Sequence, residues 1–186
     1  MRYFFMSQSC TCQIFFVSLQ TQRERDAGEE KRIRKNTNYM ITIENALRIA
    51  IQAHEGQKDL DGKPVILHPL AVGLAGKTRE ETIAGFLHDV VEDSPYTFES
   101  LQGIGVDREI VDVLRLLTHD KSTDYYDYVQ HIIDSGNATA LAVKRNDLNH
   151  NLMRGRAGNH TKQVMKHEKA LAMLDNAAKA AGEMPG

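Results

Sequence analysis

From Ile43 onward, apolar residues recur every three or four positions, the spacing of helices that bury one face. Ile43, Ala46, Leu47, Ala50, Ile51 and His54 share one stripe behind Thr42, whose hydroxyl suits an N-cap. A loop over 56–68 contains Gly62 and Pro64, and Pro69 can start a short helix over 70–74. Thr78-Arg79-Glu80-Glu81 has the form of a capping box and opens a helix expected to run to about Asp93, with Pro95 ending it. A short helix over 97–102 is closed by Gly103 and Gly105, and Asp107 can cap another over 110–117. Ser122 or Thr123 opens a helix over 125–133, closed by Gly136. Asn137 caps one over 138–152, closed by Gly155, and Thr161 opens the last, over 164–178. No alternating run is long enough for a sheet, and there is no internal repeat. The pattern predicts an all-α domain, a single helical bundle of about seven to eight helices.

Residues 1–39 break this pattern. Met1 to Leu19 mixes apolar and polar residues, and 20–38 is polar with the run Glu29-Glu30-Lys31-Arg32-Ile33-Arg34-Lys35. Neither a long apolar stretch nor a small-residue cleavage site marks a secretory signal. The segment reads as a disordered N-terminal extension or as sequence upstream of a start at Met40, with the domain over 40–186. Cys10 and Cys12, the only cysteines, make neither a disulfide framework nor a zinc site. Their scarcity fits a reducing cytoplasm. No apolar run approaches the ~20 residues of a membrane helix. The net charge of −2 argues against a dedicated nucleic-acid binder, while leaving room for a local basic pocket.

The densest chemistry lies in Phe86-Leu87-His88-Asp89-Val90-Val91-Glu92-Asp93. On a helix His88 and Glu92 are one turn apart, as are Asp89 and Asp93, so four polar groups share a face opposite Ile83, Leu87 and Val90. This is either a solvated acidic helix end or a cation site, because a bound cation relieves the repulsion of packed acids. His68 is held between loop and helix by Pro64 and Pro69, a rigid setting that suits a core or capping group or an aimed ligand. Asp147 stands mid-helix among Val143, Leu148 and Leu152, where propensity explains it poorly; it is a surface carboxylate or a ligand. Together His68, His88, Asp89 and Asp147 make a set of two nitrogens and two oxygens. That set suits Mn²⁺, Fe²⁺ or Zn²⁺ better than Ca²⁺. A metal beside two further acids is a hydrolytic arrangement.

The order His…His-Asp…Asp resembles that of the HD superfamily of phosphohydrolases. Ala53-His54-Glu55-Gly56-Gln57, Gly62-Lys63-Pro64-Val65-Ile66-Leu67-His68-Pro69, the His88–Asp89 stretch and Val143-Lys144-Arg145-Asn146-Asp147-Leu148-Asn149-His150-Asn151 resemble the hydrolase half of RelA/SpoT proteins and the small alarmone hydrolases. The resemblance covers about 43–154. It implies that His68, His88, Asp89 and Asp147 ligate a divalent metal, usually Mn²⁺. It implies that Glu92 and Asp93 orient and deprotonate the attacking water, that Asn151 touches substrate, and that His54 packs nearby without binding metal. The implied reaction removes the 3′-pyrophosphate of guanosine tetra- or pentaphosphate.

On the substrate side the chain departs from the family. Asp59 and Leu60 stand where an Arg-Lys pair is usual, leaving Lys58 as the loop's cation, and Val65 stands where tyrosine is common. Lys144 and Arg145 point about 100° apart on a helix, so one at most faces the site, and Lys144 is assigned to substrate. A weaker or less guanine-selective hydrolase is therefore expected. The alternatives are an adenosine alarmone, an NADPH 2′-phosphate or a nucleoside monophosphate as substrate, or a non-catalytic nucleotide-binding regulatory module. Such a module would be marked by loss of a ligand or of the acidic pair, and all six positions are filled.

Overall fold

In the computed structural model, which describes residues 40–182, the predicted stripes fold onto one another as helices with no strand among the described residues. The segment 1–39, read above as an extension, and its two cysteines lie outside the described residues. The helices are α1 (Ile43–Ala53), α2 (Leu67–Leu74), α3 (Arg79–Leu87), α4 (Val90–Asp93), α5 (Phe98–Gly103), α6 (Arg108–Leu117), α7 (Tyr125–Asp134), α8 (Ala138–Ala157) and α9 (Thr161–Ala180). Helix α3 is central, packed against α1, α2, α6 and α8, while α9 runs along α8 and also meets α7. Ile83, Phe86 and Leu87 of α3 meet Leu114 and Leu148 in a core from which water is excluded. No described helix is long and apolar enough to cross a membrane.

Several helix starts follow the sequence. Thr42 accepts from Asn45 N at 3.2 Å and Asn137 from Ala140 N at 2.9 Å. Others differ for local reasons. Thr78 accepts from Glu81 N, but the Glu81 carboxylate caps Lys77 N instead of returning to Thr78, so the box is only half made. The reciprocal box forms at Thr97 and Ser100, because a serine hydroxyl can replace the usual carboxylate. Asp107 occupies an N-cap, yet its carboxylate serves Arg79 at 2.9 Å. Asp124, rather than Ser122 or Thr123, caps α7.

Two departures shape the site. The helix expected over 79–93 is interrupted at His88 and Asp89, where Asp89 adopts φ −94° and ψ −6°, and α4 is a separate turn. Counting α3 and α4 as one interrupted helix gives eight among the described residues, within the seven to eight that the pattern predicts. Helix α8 does not stop at Gly155 but runs through it to Ala157. The bare Gly155 lets Val164 of α9 approach, since a Cβ there would lie 3.0 Å from Val164 Cγ2. A glycine placed for packing thus looks in sequence like a glycine that ends a helix.

Candidate metal centre and its cavity

Helix α2 begins at Leu67, so His68 sits in its first turn, buried, with its ring turned toward the break after α3. The two helices approach through glycines: a Cβ on Gly85 would stand 2.7 Å from Gly73 Cα, and one on Gly73 would overlap the Phe86 ring. That crossing brings His68 Nε2 to 3.3 Å from His88 Nε2. Asp147 enters from α8, with Oδ1 at 3.1 Å from His68 Nε2 and 3.9 Å from His88 Nε2. Asp89 lies 3.1 Å from His88 Nε2 and 3.6 Å from His68 Nε2 through its two oxygens. His68, His88 and Asp89 have ligand atoms mutually within 4.8 Å. Asp147 lies outside that group of three and contacts both of its histidines.

The donor set fits a divalent cation. His88 Nδ1 donates to Gly85 O at 2.8 Å, which leaves its Nε2 lone pair facing inward. Two imidazole nitrogens turned toward each other with two carboxylates around them are poorly arranged by themselves and well arranged around a positive ion. The electrostatics agree. Burial alone would raise the Asp147 carboxyl, but Lys144 and the two histidines hold it well below the ordinary carboxylate range. Burial also opposes ionisation of Asp89, and His88 and His68 outweigh it, keeping Asp89 low. Burial would push the His88 imidazole down, yet Asp89 and then Asp147 raise it to about 9. The two carboxylates stay ionised, and their charge is what draws a proton onto the His88 imidazole; a divalent ion would replace that proton.

Glu92 and Asp93 flank this centre on α4. Glu92 Oε1 accepts from His119 N at 2.6 Å, so the carboxylate is aimed rather than loose. Burial, with Asp89 and Asp93 nearby, raises the Glu92 carboxyl, and burial and Asp89 do the same to Asp93. Both carboxyls thus hold a proton more readily than an ordinary carboxylate. The α4 turn is tied back to α1: Gln57 Nε2 donates to Asp93 O at 2.7 Å, and Gln57 Oε1 meets His54 Nδ1 at 2.9 Å. His54 is buried beside the site and does not belong to the metal cluster.

All these groups open onto one cavity of about 690 Å³. Along α8 the positions 144, 147, 151 and 154 follow a three-four-three spacing and line it together. Lys144 is buried, and its ammonium donates to Asp147 Oδ2 at 2.9 Å over the rings of Tyr128 and Tyr125. It therefore meets the metal-side carboxylate directly. Asn151 Nδ2 likewise donates to Asp147 Oδ1. Arg145 turns away and pairs with Asp175 of α9. Lys58 lines the cavity mouth from the loop after α1.

Two cavity cations were not singled out from the sequence. Arg154 is carried in because α8 continues past 152, where the helix was expected to end. Lys166 comes from α9 and stands 3.6 Å from the Tyr125 ring centroid. His150, quoted only as part of a motif, meets His68 edge to edge, with an Nδ1 to Nδ1 distance of 2.7 Å and ring centroids 5.0 Å apart. The Asp59 carboxylate is engaged by its own loop: Oδ1 accepts from Asp61 N at 3.0 Å and Lys63 N at 2.8 Å.

These features define an all-α fold of the HD-domain type, carrying a buried His/Asp cluster at the floor of a cavity lined by acids and cations. No protein-family model matches the chain. Among curated proteins it is 40% identical over 85 residues, 44% of this chain, to the GTP pyrophosphokinase of Streptomyces coelicolor, and 44% identical over 64 residues, 32% of this chain, to the bifunctional (p)ppGpp synthase/hydrolase SpoT of Escherichia coli. A segment of 58 residues, 29% of this chain, is 47% identical to the guanosine-3′,5′-bis(diphosphate) 3′-pyrophosphohydrolase of Haemophilus influenzae. Each match covers 9% of the relative, so the chain spans a small part of the length of the curated proteins it matches. A solved structure described as a metazoan ortholog of SpoT that hydrolyzes ppGpp matches with a TM-score of 0.51 and 21% identity, over 76% of this chain and 96% of that one. The resemblance to RelA/SpoT-type proteins therefore holds in local sequence, and the fold is that of the SpoT ortholog.

Proposed function

We propose that this chain is a metal-dependent phosphohydrolase that removes the 3′-pyrophosphate of guanosine tetra- or pentaphosphate, or of a related nucleotide. The observation that carries the reading is the convergence of His68, His88, Asp89 and Asp147 at the floor of the cavity that Glu92 and Asp93 line. A divalent ion held by those four, proposed as Mn²⁺, would supply Lewis-acid polarisation of a phosphoryl oxygen and acidification of water. Glu92, fixed by His119 N, accepts a proton from the attacking water, and Asp93 helps to hold that water in line. The new bond joins the water oxygen to the phosphorus on the 3′-oxygen. The bond from that phosphorus to the 3′-oxygen breaks, a proton passes to the 3′-oxygen, and pyrophosphate leaves. Asn151 and Lys144 hold Asp147, and Lys58, Arg154 and Lys166 offer positive charge to the remaining phosphates. The proposed setting is the cytoplasm, with a free nucleotide as the partner.

The test begins with metal content of the purified protein. A panel of guanosine tetraphosphate, its adenosine counterpart, NADPH and nucleoside monophosphates follows in Mn²⁺, with separate detection of pyrophosphate and phosphate. Pyrophosphate release from guanosine tetraphosphate is expected. Bound metal with no turnover of any substrate would leave the non-catalytic module as the better reading.

A further inference from the structure

His68 and His150 meet at 2.7 Å through their Nδ1 atoms, with ring planes 18° apart and centroids 5.0 Å apart, so the two rings lie edge to edge and nearly in one plane. Between two imidazole nitrogens at that distance one must donate and the other accept. A histidine that gives its Nε2 lone pair to a metal carries its proton on Nδ1 and needs an acceptor there. For His88 that acceptor is the Gly85 carbonyl. At His68 Nδ1, the hydrogen-bond partner is His150 Nδ1.

We infer that His150 fixes the tautomer and ring angle of His68, making it a positioning residue for the metal centre. The inference rests on the metal site proposed above. The His68 Nδ1 proton is donated to the His150 Nδ1 lone pair, and the His150 proton sits on Nε2. The in-plane hydrogen bond resists rotation of His68 about its Cβ–Cγ bond, so Nε2 stays aimed between Asp147 and Asp89. A backbone carbonyl anchors one histidine of the pair, and a side chain from α8 anchors the other. The metal centre is thereby joined to the same helix that supplies Asp147.

Two substitutions separate the hydrogen bond from the bulk of the ring. His150→Phe keeps a flat ring and removes the acceptor. His150→Asn places an amide oxygen where Nδ1 stood and removes the ring. Co²⁺ titrated into the full chain, followed by its visible absorption, reports affinity and ligand geometry without turnover. Outer partners of metal-bound histidines typically carry about 10- to 100-fold in affinity, and His150→Phe is expected to lose that much. His150→Asn is expected to recover most of it. Equal affinity in His150→Phe and the parent overturns the inference, as does an equal loss in both variants, which would assign the effect to the ring. If the parent itself binds no Co²⁺, the metal-site reading fails and the inference falls with it. A measurement on the unmodified chain does not depend on variant folding: ¹⁵N spectra of the Zn²⁺-loaded protein should show His68 protonated at Nδ1 and His150 at Nε2. A proton on His150 Nδ1 would overturn the assignment.

Discussion

Gly73 and Gly85 pack backbone to backbone, and the distance between His68 and His88 depends on that contact. A Cβ on Gly85 would come within 2.7 Å of Gly73 Cα, far inside van der Waals contact, and backbone cannot swing aside as a flexible side chain can. His68 lies five residues before Gly73, and His88 three residues after Gly85, so any spreading of α2 from α3 separates the two Nε2 atoms. Gly85→Ala is predicted to cost about 1–3 kcal/mol by overpacking. It should also weaken metal binding more than a surface Gly→Ala change does. Thermal unfolding paired with Co²⁺ titration checks both. Native metal affinity in a destabilised variant would show that the crossing does not set the site.

The metal cluster should be separable from the fold. Asp89 makes no capping hydrogen bond and keeps part of its surface in solvent, so Asp89→Ala should leave the helical content and melting temperature near the parent values. It should abolish turnover in Mn²⁺ and lower metal content at the same time. Retained activity at the parent rate would remove Asp89 from the ligand set.

Glu92→Gln tests the base. The glutamine oxygen can still accept from His119 N, so the side chain should keep its place while losing its capacity to take a proton. Metal content should be unchanged and kcat should fall by ~10²–10⁴-fold, the usual cost of a lost general base. A parent-like kcat would assign the proton transfer elsewhere, with Asp93 the nearest candidate.

Much of this was legible because the relevant residues are close in sequence or carry strong local signals. The three-four periodicity placed most helices, and the His-Asp pair with its following acids marked the α3–α4 junction. What escaped were features set by tertiary contact. The break at His88 and Asp89 is invisible to periodicity, since apolar residues continue on both sides. Gly155 reads as a stop because glycine usually is one there, whereas its use is to admit Val164. That single misreading hid Arg154, which falls on the cavity face once α8 continues. Lys166 is one of many basic residues in the chain, and the packing of α9 along α8 brings it to the site.

Arg154 and Lys166 lead to a prediction about binding. Both line the cavity, and the Lys166 ammonium stands over the Tyr125 ring. Hydrogen bonds to charged groups contribute about 1.5–3 kcal/mol. Arg154→Gln and Lys166→Gln are each expected to lower kcat/KM for guanosine tetraphosphate by about 10- to 100-fold, chiefly through KM. Unchanged KM in both would show that the phosphates lie on another wall.

The last prediction concerns the loop where the sequence departs from its relatives. Replacing Asp59 and Leu60 together with Arg and Lys would mix two effects. The Asp59 carboxylate holds Asp61 N and Lys63 N, and that use keeps its own carboxyl below the usual range. Asp59→Arg would loosen the turn while adding charge, so a negative result would have two explanations. Leu60 has no such duty: it lines the cavity mouth and is 74% exposed. Leu60→Lys should therefore add a rim cation with little effect on stability. An exposed ion pair contributes about 0.2–1 kcal/mol, so a rise of up to about 5-fold in kcat/KM is expected for guanosine tetraphosphate. The rise should shrink as salt is added, because the contact is solvent-screened. NADPH and the adenosine counterpart, run alongside, separate charge from base selection. A gain shared by all polyphosphate substrates means that the rim reads charge alone. A gain confined to the guanosine substrate means that the new side chain reaches the base. No gain at any salt concentration would remove this loop from the substrate path and leave Arg154 and Lys166 as its cationic wall.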